Sequence, residues 1–169
     1  NDLFLELDRN GAEIRTLLGF SGVEQPDEDI HLWNMKEMPP WTKRSEAKEK
    51  FFAWLYNPKA QNSMYEKFYN KKAYLEHFNG EVIKTPHGRE LQVDERKALN
   101  YLLQSTTSDI VLENSYKIMR LLKNKRSKVA FTMHDSVILD FAKEDHYMVK
   151  EIKDIFEINL FGKFWSTVN

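Results

Sequence analysis

Two acidic residues stand where short apolar runs end. Asp8 closes the run LFLELD near the start of the chain, and Asp135 lies in KVAFTMHDSVILDF, between runs at 129–133 and 137–139. Each has a plain local explanation, because Asp and Ser are common turn formers and Asp also starts helices. The alternative is that strands of one sheet bring the two carboxylates together. At such range they repel unless a cation lies between them. Oxygen donors in a chain without cysteine select Mg2+, or Mn2+, over Zn2+. Two such ions about 4 Å apart can hold the attacking and leaving oxygens of an in-line phosphoryl displacement.

A second pattern suits the same chemistry. In KRSEAKEKFFAWLYN, Arg44, Lys48, Phe52 and Tyr56 recur at every fourth position. Four residues advance ~6 Å along a helix and turn only ~40° past a full revolution, so the four form one slanting stripe. Cations at one end suit phosphate oxygens, and rings at the other offer flat surface to a sugar and base. An amphipathic helix with a solvated basic end and a buried aromatic end would read the same way. Arg96, Asn100 and Gln104 share one face of a further helical segment. Amides there could meet minor-groove acceptors, or could belong to an ordinary polar face opposite Leu99 and Leu102. RLLKNKRSK, residues 120–128, carries five cations and no acid. It fits either a phosphate contact or a solvated helix end. Arg89 follows the turn in TPHGRE as a weaker phosphate contact.

The elements that would position these residues follow from periodicity and breakers. Strands are expected at 2–8, 129–133, 137–139 and 160–168. Helices are expected at 11–18, 29–35, 42–56 capped by Thr42, 61–77, 95–123 capped by Asp94 and bent at 105–107, and 145–158. A hairpin is expected across NGEVIKTPHGREL. Strands and helices mix without regular βαβ alternation, which makes the fold α+β. The 169 residues, 41% of them hydrophobic, suit one domain or a compact piece of a larger one. The net charge of −1 excludes a globally basic nucleic-acid binder and leaves only local patches. No apolar run approaches ~18 residues, so no membrane span is expected. The opening residues resemble a strand and not a signal peptide, and a start in mid-strand suggests a fragment.

Taken in order, these segments resemble the family A DNA polymerases, the DNA polymerase I-like group, in the form carried by many phages. LDRNGAEIR is similar to the family's first palm motif through Asp8, Glu13 and Arg15. EDIH at 28–31 matches a segment that follows it. Arg44, Lys48, Phe52 and Tyr56 match the nucleotide-binding helix of the fingers. Glu95, Arg96, Asn100 and Gln104 match the helix that contacts primer and template, and HDS at 134–136 matches the second palm motif. The chain departs from the pattern at Ser136, often Glu, and at Ala53 and Asn57, often Gly.

The resemblance implies an antiparallel palm sheet with packed helices, at 1–30 and 90–169, and a helical fingers subdomain at about 31–89. The thumb and any exonuclease would lie upstream of the chain. It implies a template-directed DNA polymerase that adds deoxynucleotides to a primer 3′-OH, with primer–template DNA and deoxynucleoside triphosphates as partners. Asp8, Asp135 and the carbonyl of Arg9 would hold two Mg2+ ions. Arg44 and Lys48 would hold the triphosphate, with Lys48 protonating the leaving pyrophosphate. Phe52 would pack on the nucleotide, Tyr56 would stack at the templating position, and Glu13 would fill the space of a ribose 2′-OH. Arg89, Arg96, Asn100, Gln104 and His134 would contact DNA. A phage origin implies the bacterial host cytoplasm. A single-subunit RNA polymerase palm is the nearest alternative, and Glu13 argues against it; a non-catalytic nucleic-acid-binding relic is another.

Overall fold

The computed structural model describes residues 1–37 and 43–169. The expected cap at Thr42 lies outside them. The organising element is a four-stranded antiparallel sheet in the order β4-β5-β1-β8, built from β1 (Leu3–Arg9), β4 (Lys128–Met133), β5 (Ser136–Phe141) and β8 (Ser166–Val168). Alternation along β1 divides its side chains between two faces. Leu5 and Leu7, with Val137, Leu139 and Phe141 of β5, pack on Ile118, Leu122, Ile152 and Phe156. Those partners come from α4 (Glu95–Leu121), the residue after it, and α5 (Val149–Glu157). Phe4, Glu6 and Asp8 therefore face the other way, toward the open side of the sheet. The register sets Asp8 between Ser136 on one flank and Thr167 on the other.

A second cluster forms around the helices that precede α4. α1 (Ala12–Phe20), α2 (Ile30–Glu37) and α3 (Arg44–Tyr56) bury Ile14, Leu17, Leu18, Ile30, Phe51, Trp54 and Leu55 together with Tyr65, Tyr69 and Leu103. Gly11 makes this packing possible. It precedes α1 in the left-handed region at φ 57°, and a Cβ there would lie 2.5 Å from Ile30 Cγ2. Only glycine meets both demands without cost. β2 (Val82–Lys84) and β3 (Glu90–Gln92) form the hairpin expected in NGEVIKTPHGREL.

Three expectations need correction. The segment 61–77 is two 3-10 turns, Tyr65–Lys67 and Lys71–His77, rather than an α-helix. The Asn62 side chain accepts the Met64 and Tyr65 N–H groups, and Asn70 accepts that of Lys72. Such local bonds compete with helix propagation. α4 runs unbroken through Ser105–Thr107, because these polar residues are buried against α1, where Thr16 and Thr107 hydroxyls meet at 3.1 Å. The segment 160–168 is not one strand. It contains half of a small hairpin, β6 (Ile158–Asn159) with β7 (Gly162–Lys163), and then β8. Buried Glu157 accepts both the N–H and the hydroxyl of Ser166, which fixes where β8 begins.

Candidate active site

Met133 and Ser136 are the last paired residues of the β4–β5 hairpin, so His134 and Asp135 form a two-residue loop. Such loops need a positive φ at their first residue to follow the twist of the strands. His134 supplies it at φ 53°, a conformation that strains a side-chain-bearing residue. Ser136 is buried and donates its hydroxyl to Met133 O at 2.9 Å, which braces the loop. The departure at Ser136 thus has a structural use. Because Asp8 pairs with Ser136, Asp135 comes to the same end of the sheet as Asp8.

Both carboxylates line a cleft of ≈740 Å³, with Arg9, Asn10 and Glu13 on the strand side and Asp29, His31, Arg44, Lys48 and Phe52 across from them. The period of α3 explains the second wall. Ala47, Phe51, Trp54 and Leu55 are buried, which turns Arg44, Lys48 and one side of Phe52 to the cleft, with Tyr56 continuing the stripe beyond it. The rings of Phe52 and Tyr56 stack, with centroids 5.8 Å apart and planes 7° from parallel. The Tyr56 hydroxyl donates to Glu13 Oε2, which ties the end of α3 to the segment that follows Asp8. Burial and the Glu13 carboxylate raise the phenol well above its ordinary range. A smaller cleft of ≈400 Å³ beside the β2–β3 hairpin holds neither Asp8 nor Asp135.

The electrostatics are those of crowded anions. Burial pushes the Asp135 carboxyl up, helped by Glu13 and Asp8, while Arg9 and His134 oppose. Burial and Glu6 push Asp8 up, against a hydrogen bond from the Arg9 N–H. For an acid raised in the folded state, the folded protein holds protons that the unfolded chain gives up. Stability is full below the unfolded pKa and falls as pH rises through the folded one. At neutral pH without divalent ions these carboxylates therefore cost stability. Asp135→Asn is expected to raise Tm at pH 7 in EDTA by ~2–4 °C, the shift ~1 kcal/mol gives at this size. The gain should vanish near pH 3. A variant that melts lower at pH 7 would show that the carboxylate is not crowded.

The donor set fits a hard cation. Among the described residues no three Asp, Glu or His side chains form a complete metal cage. Mg2+ does not require one, since it keeps several waters and binds through one or two carboxylates plus substrate phosphates. Asp8 near a strand end and Asp135 in the adjoining hairpin loop, both lining an open cleft, meet that requirement.

Asn10, Trp165 and Thr167 line the cleft and were not singled out by sequence. Asn10 is a hub: its Oδ1 accepts Ile30 N–H at 2.7 Å, and its carbonyl accepts Arg15 Nε at 2.8 Å. Arg15 is fully buried and also donates to the Pro26 and Glu28 carbonyls, so it ties down the loop before α2 and does not face the cleft. Thr167 of β8 and Trp165 just before it reach the cleft, at an edge strand whose pairing no local signal announces. His31, within EDIH, is 3% exposed. Burial and the nearby Arg44 lower its pKa to about 4 against only partial compensation by Asp29. A base depressed in the folded state contributes stability that is full above its unfolded pKa of 6.5 and lost as pH falls toward 4. His31→Gln should flatten stability against pH across that window, and an unchanged slope in urea titrations would show that His31 titrates normally.

The residues expected to touch DNA lie outside the cleft wall. Arg96, Asn100 and Gln104 follow one another on α4, with Arg96 beside Asp94 at 3.3 Å and Gln104 donating to Asn100 at 3.1 Å. Arg89 is 2.6 Å from Asp109. His134 is exposed at the hairpin tip. The basic stretch 120–128 is partly used up locally. Lys128 caps α4 through the Leu122 and Lys123 carbonyls, Lys125 meets the Tyr147 hydroxyl, and Arg126 meets Glu144. Among the described residues no helix is long and apolar enough to cross a membrane.

No family model matches the chain. Over 81 residues it is 37% identical to a DNA polymerase of Bacillus phage SP01, a match covering 44% of this chain and 9% of that protein. Its fold matches the POL domain of Pol1 from M. smegmatis, solved in complex with DNA primer-template and dNTP, at a TM-score of 0.74 and 15% identity. That match covers 98% of this chain and 39% of the Pol1 chain. The chain is thus similar in sequence to a phage DNA polymerase and has the fold of a Pol1-like polymerase domain.

Proposed function

We propose that this chain, a Pol1-like polymerase fold, is a catalytic part of a template-directed DNA polymerase. It would extend a primer 3′-OH with deoxynucleotides and work beside a thumb-bearing segment in the cytoplasm of a bacterial host. The observation that carries this reading is the convergence of Asp8 and Asp135 on one cleft walled by Arg44, Lys48 and Phe52. The sheet, with residues 1–30 and 90–169, serves as palm, and residues 31–89 serve as fingers.

In the reaction, the primer 3′-oxygen forms a bond to the α-phosphorus as the bond from phosphorus to the pyrophosphate oxygen breaks. Arg44 and Lys48 hold the triphosphate, and Lys48 gives a proton to the departing pyrophosphate while the 3′-hydroxyl loses its own to solvent. Phe52 packs on the nucleotide. Tyr56, stacked on Phe52, closes the templating position, and Glu13 occupies the space a 2′-OH would need. Asp8, Asp135 and the Arg9 carbonyl would hold two Mg2+ ions, which would neutralise the charge of the reacting phosphates. Arg96, Asn100, Gln104, Arg89 and His134 grip the primer–template. Positioning and charge stabilisation do most of the work in such a transfer.

The test is extension of a labelled primer in Mg2+ with four dNTPs, by the chain alone and joined to a thumb-bearing polymerase segment. Templated extension in either form supports the reading. Binding of primer–template without extension in both forms would make the chain a non-catalytic relic.

A further inference from the structure

Arg44 begins α3, and Lys43 before it offers no side-chain cap. The guanidinium is instead clasped by the start of another helix. Asp29 caps α2, its Oδ1 accepting the His31 N–H at 2.9 Å and the Leu32 N–H at 3.0 Å. The same carboxylate takes Arg44 NH2 at 2.9 Å, Arg44 Nε at 3.2 Å from both oxygens, and Asn10 Nδ2 at 3.0 Å. Asn10 lies two positions after Asp8. One carboxylate thus links the strand end that bears Asp8, the start of α2 and the start of α3. Burial opposes its ionisation, yet the bonds from Arg44 and Leu32 N–H prevail and hold Asp29 below the usual carboxylate range.

Arg44 spends only its Nε/NH2 edge on this contact; NH1 makes no hydrogen bond among the described residues. Asp29, Asn10 and Arg44 all line the cleft with Asp8 and Asp135. A guanidinium has five donors in a rigid fork, so fixing one edge aims the other. We propose that Asp29 is the positioning residue for the triphosphate: it holds Arg44 by one edge so that the opposite edge is presented to the phosphates, in register with Asp8 through Asn10. This rests on the nucleotide-binding reading of the cleft. A bare carboxylate so near a triphosphate would repel it. Asp29 is not bare, because its oxygens are already occupied by Arg44, Asn10 and two main-chain N–H groups.

Asp29→Asn removes the charge and keeps the cap, since Asn is as good a helix cap as Asp, while its amide nitrogen replaces the oxygen that accepts from Arg44 and Asn10. The measurement is titration calorimetry of the chain with dATP in Mg2+, with dAMP as the control that lacks the outer phosphates. Loss of one charge-assisted contact predicts a dATP Kd about tenfold higher for Asp29→Asn. The dAMP Kd should stay within about twofold, and Tm close to wild type. In an Arg44→Gln background, adding Asp29→Asn should weaken dATP by less than about twofold, because a positioning residue acts only through what it positions. Asp29→Ser, which also caps, serves as the second variant. Equal or tighter dATP binding by Asp29→Asn, or effects of the two substitutions that simply multiply, would overturn the proposal. Failure of the wild-type chain to bind dATP overturns the nucleotide reading and this inference with it.

Discussion

Asp8→Asn or Asp135→Asn is expected to slow primer extension ~10³-fold or more while leaving primer–template affinity within about twofold. The two side chains share a sheet end but come from segments far apart in sequence, and both line the cleft with no hydrogen-bonded cation among the described residues. Burial raises both carboxyls, helped by Glu6 at Asp8 and by Glu13 and Asp8 at Asp135, so an amide at either place removes a costly charge and leaves the sheet intact. The asparagine variants should therefore be at least as stable as wild type in EDTA, and they should no longer gain stability from Mg2+. Rates and affinities measured side by side check this. A parallel collapse of DNA binding would give these acids a structural role in its place.

Glu13→Ala should admit ribonucleotides, with discrimination falling ~10²-fold, the scale on which a pocket rejects one added group. Glu13 lines the cleft and accepts the Tyr56 hydroxyl, so truncation opens space and also frees the tyrosine. Tyr56→Phe tells the two effects apart. It keeps the ring stacked on Phe52 and leaves the Glu13 carboxylate in place, so it should preserve sugar discrimination. Single-turnover incorporation of ATP against dATP is the measurement. Unchanged selectivity in Glu13→Ala would remove Glu13 as the gate, and relaxed selectivity in Tyr56→Phe would move the role to the hydrogen bond.

Much of this site was open to reading because its signals are local. The fourth-residue spacing of Arg44, Lys48, Phe52 and Tyr56 needs only helical geometry, and the buried Phe51, Trp54 and Leu55 on the opposite face follow from the same period. The β4–β5 hairpin announces itself by β-branched runs around a short polar loop. Local pattern misled where side chains divert the backbone, as at Asn62 and Asn70, or where burial absorbs polar residues, as at Ser105–Thr107 in α4.

The sequence alone was enough for the α+β class and the cationic–aromatic stripe, since each depends on neighbours within a turn or a strand, whereas the meeting of Asp8 with Asp135 depends on the β1–β5 register. Only the tertiary structure decided that Trp165 and Thr167 join the cleft, that Arg15 is a buried brace, and that Asp29 clasps Arg44. Those facts depend on strand register and on helix starts meeting in space. Register and packing are set by the whole core at once, so no short stretch of residues carries their signature.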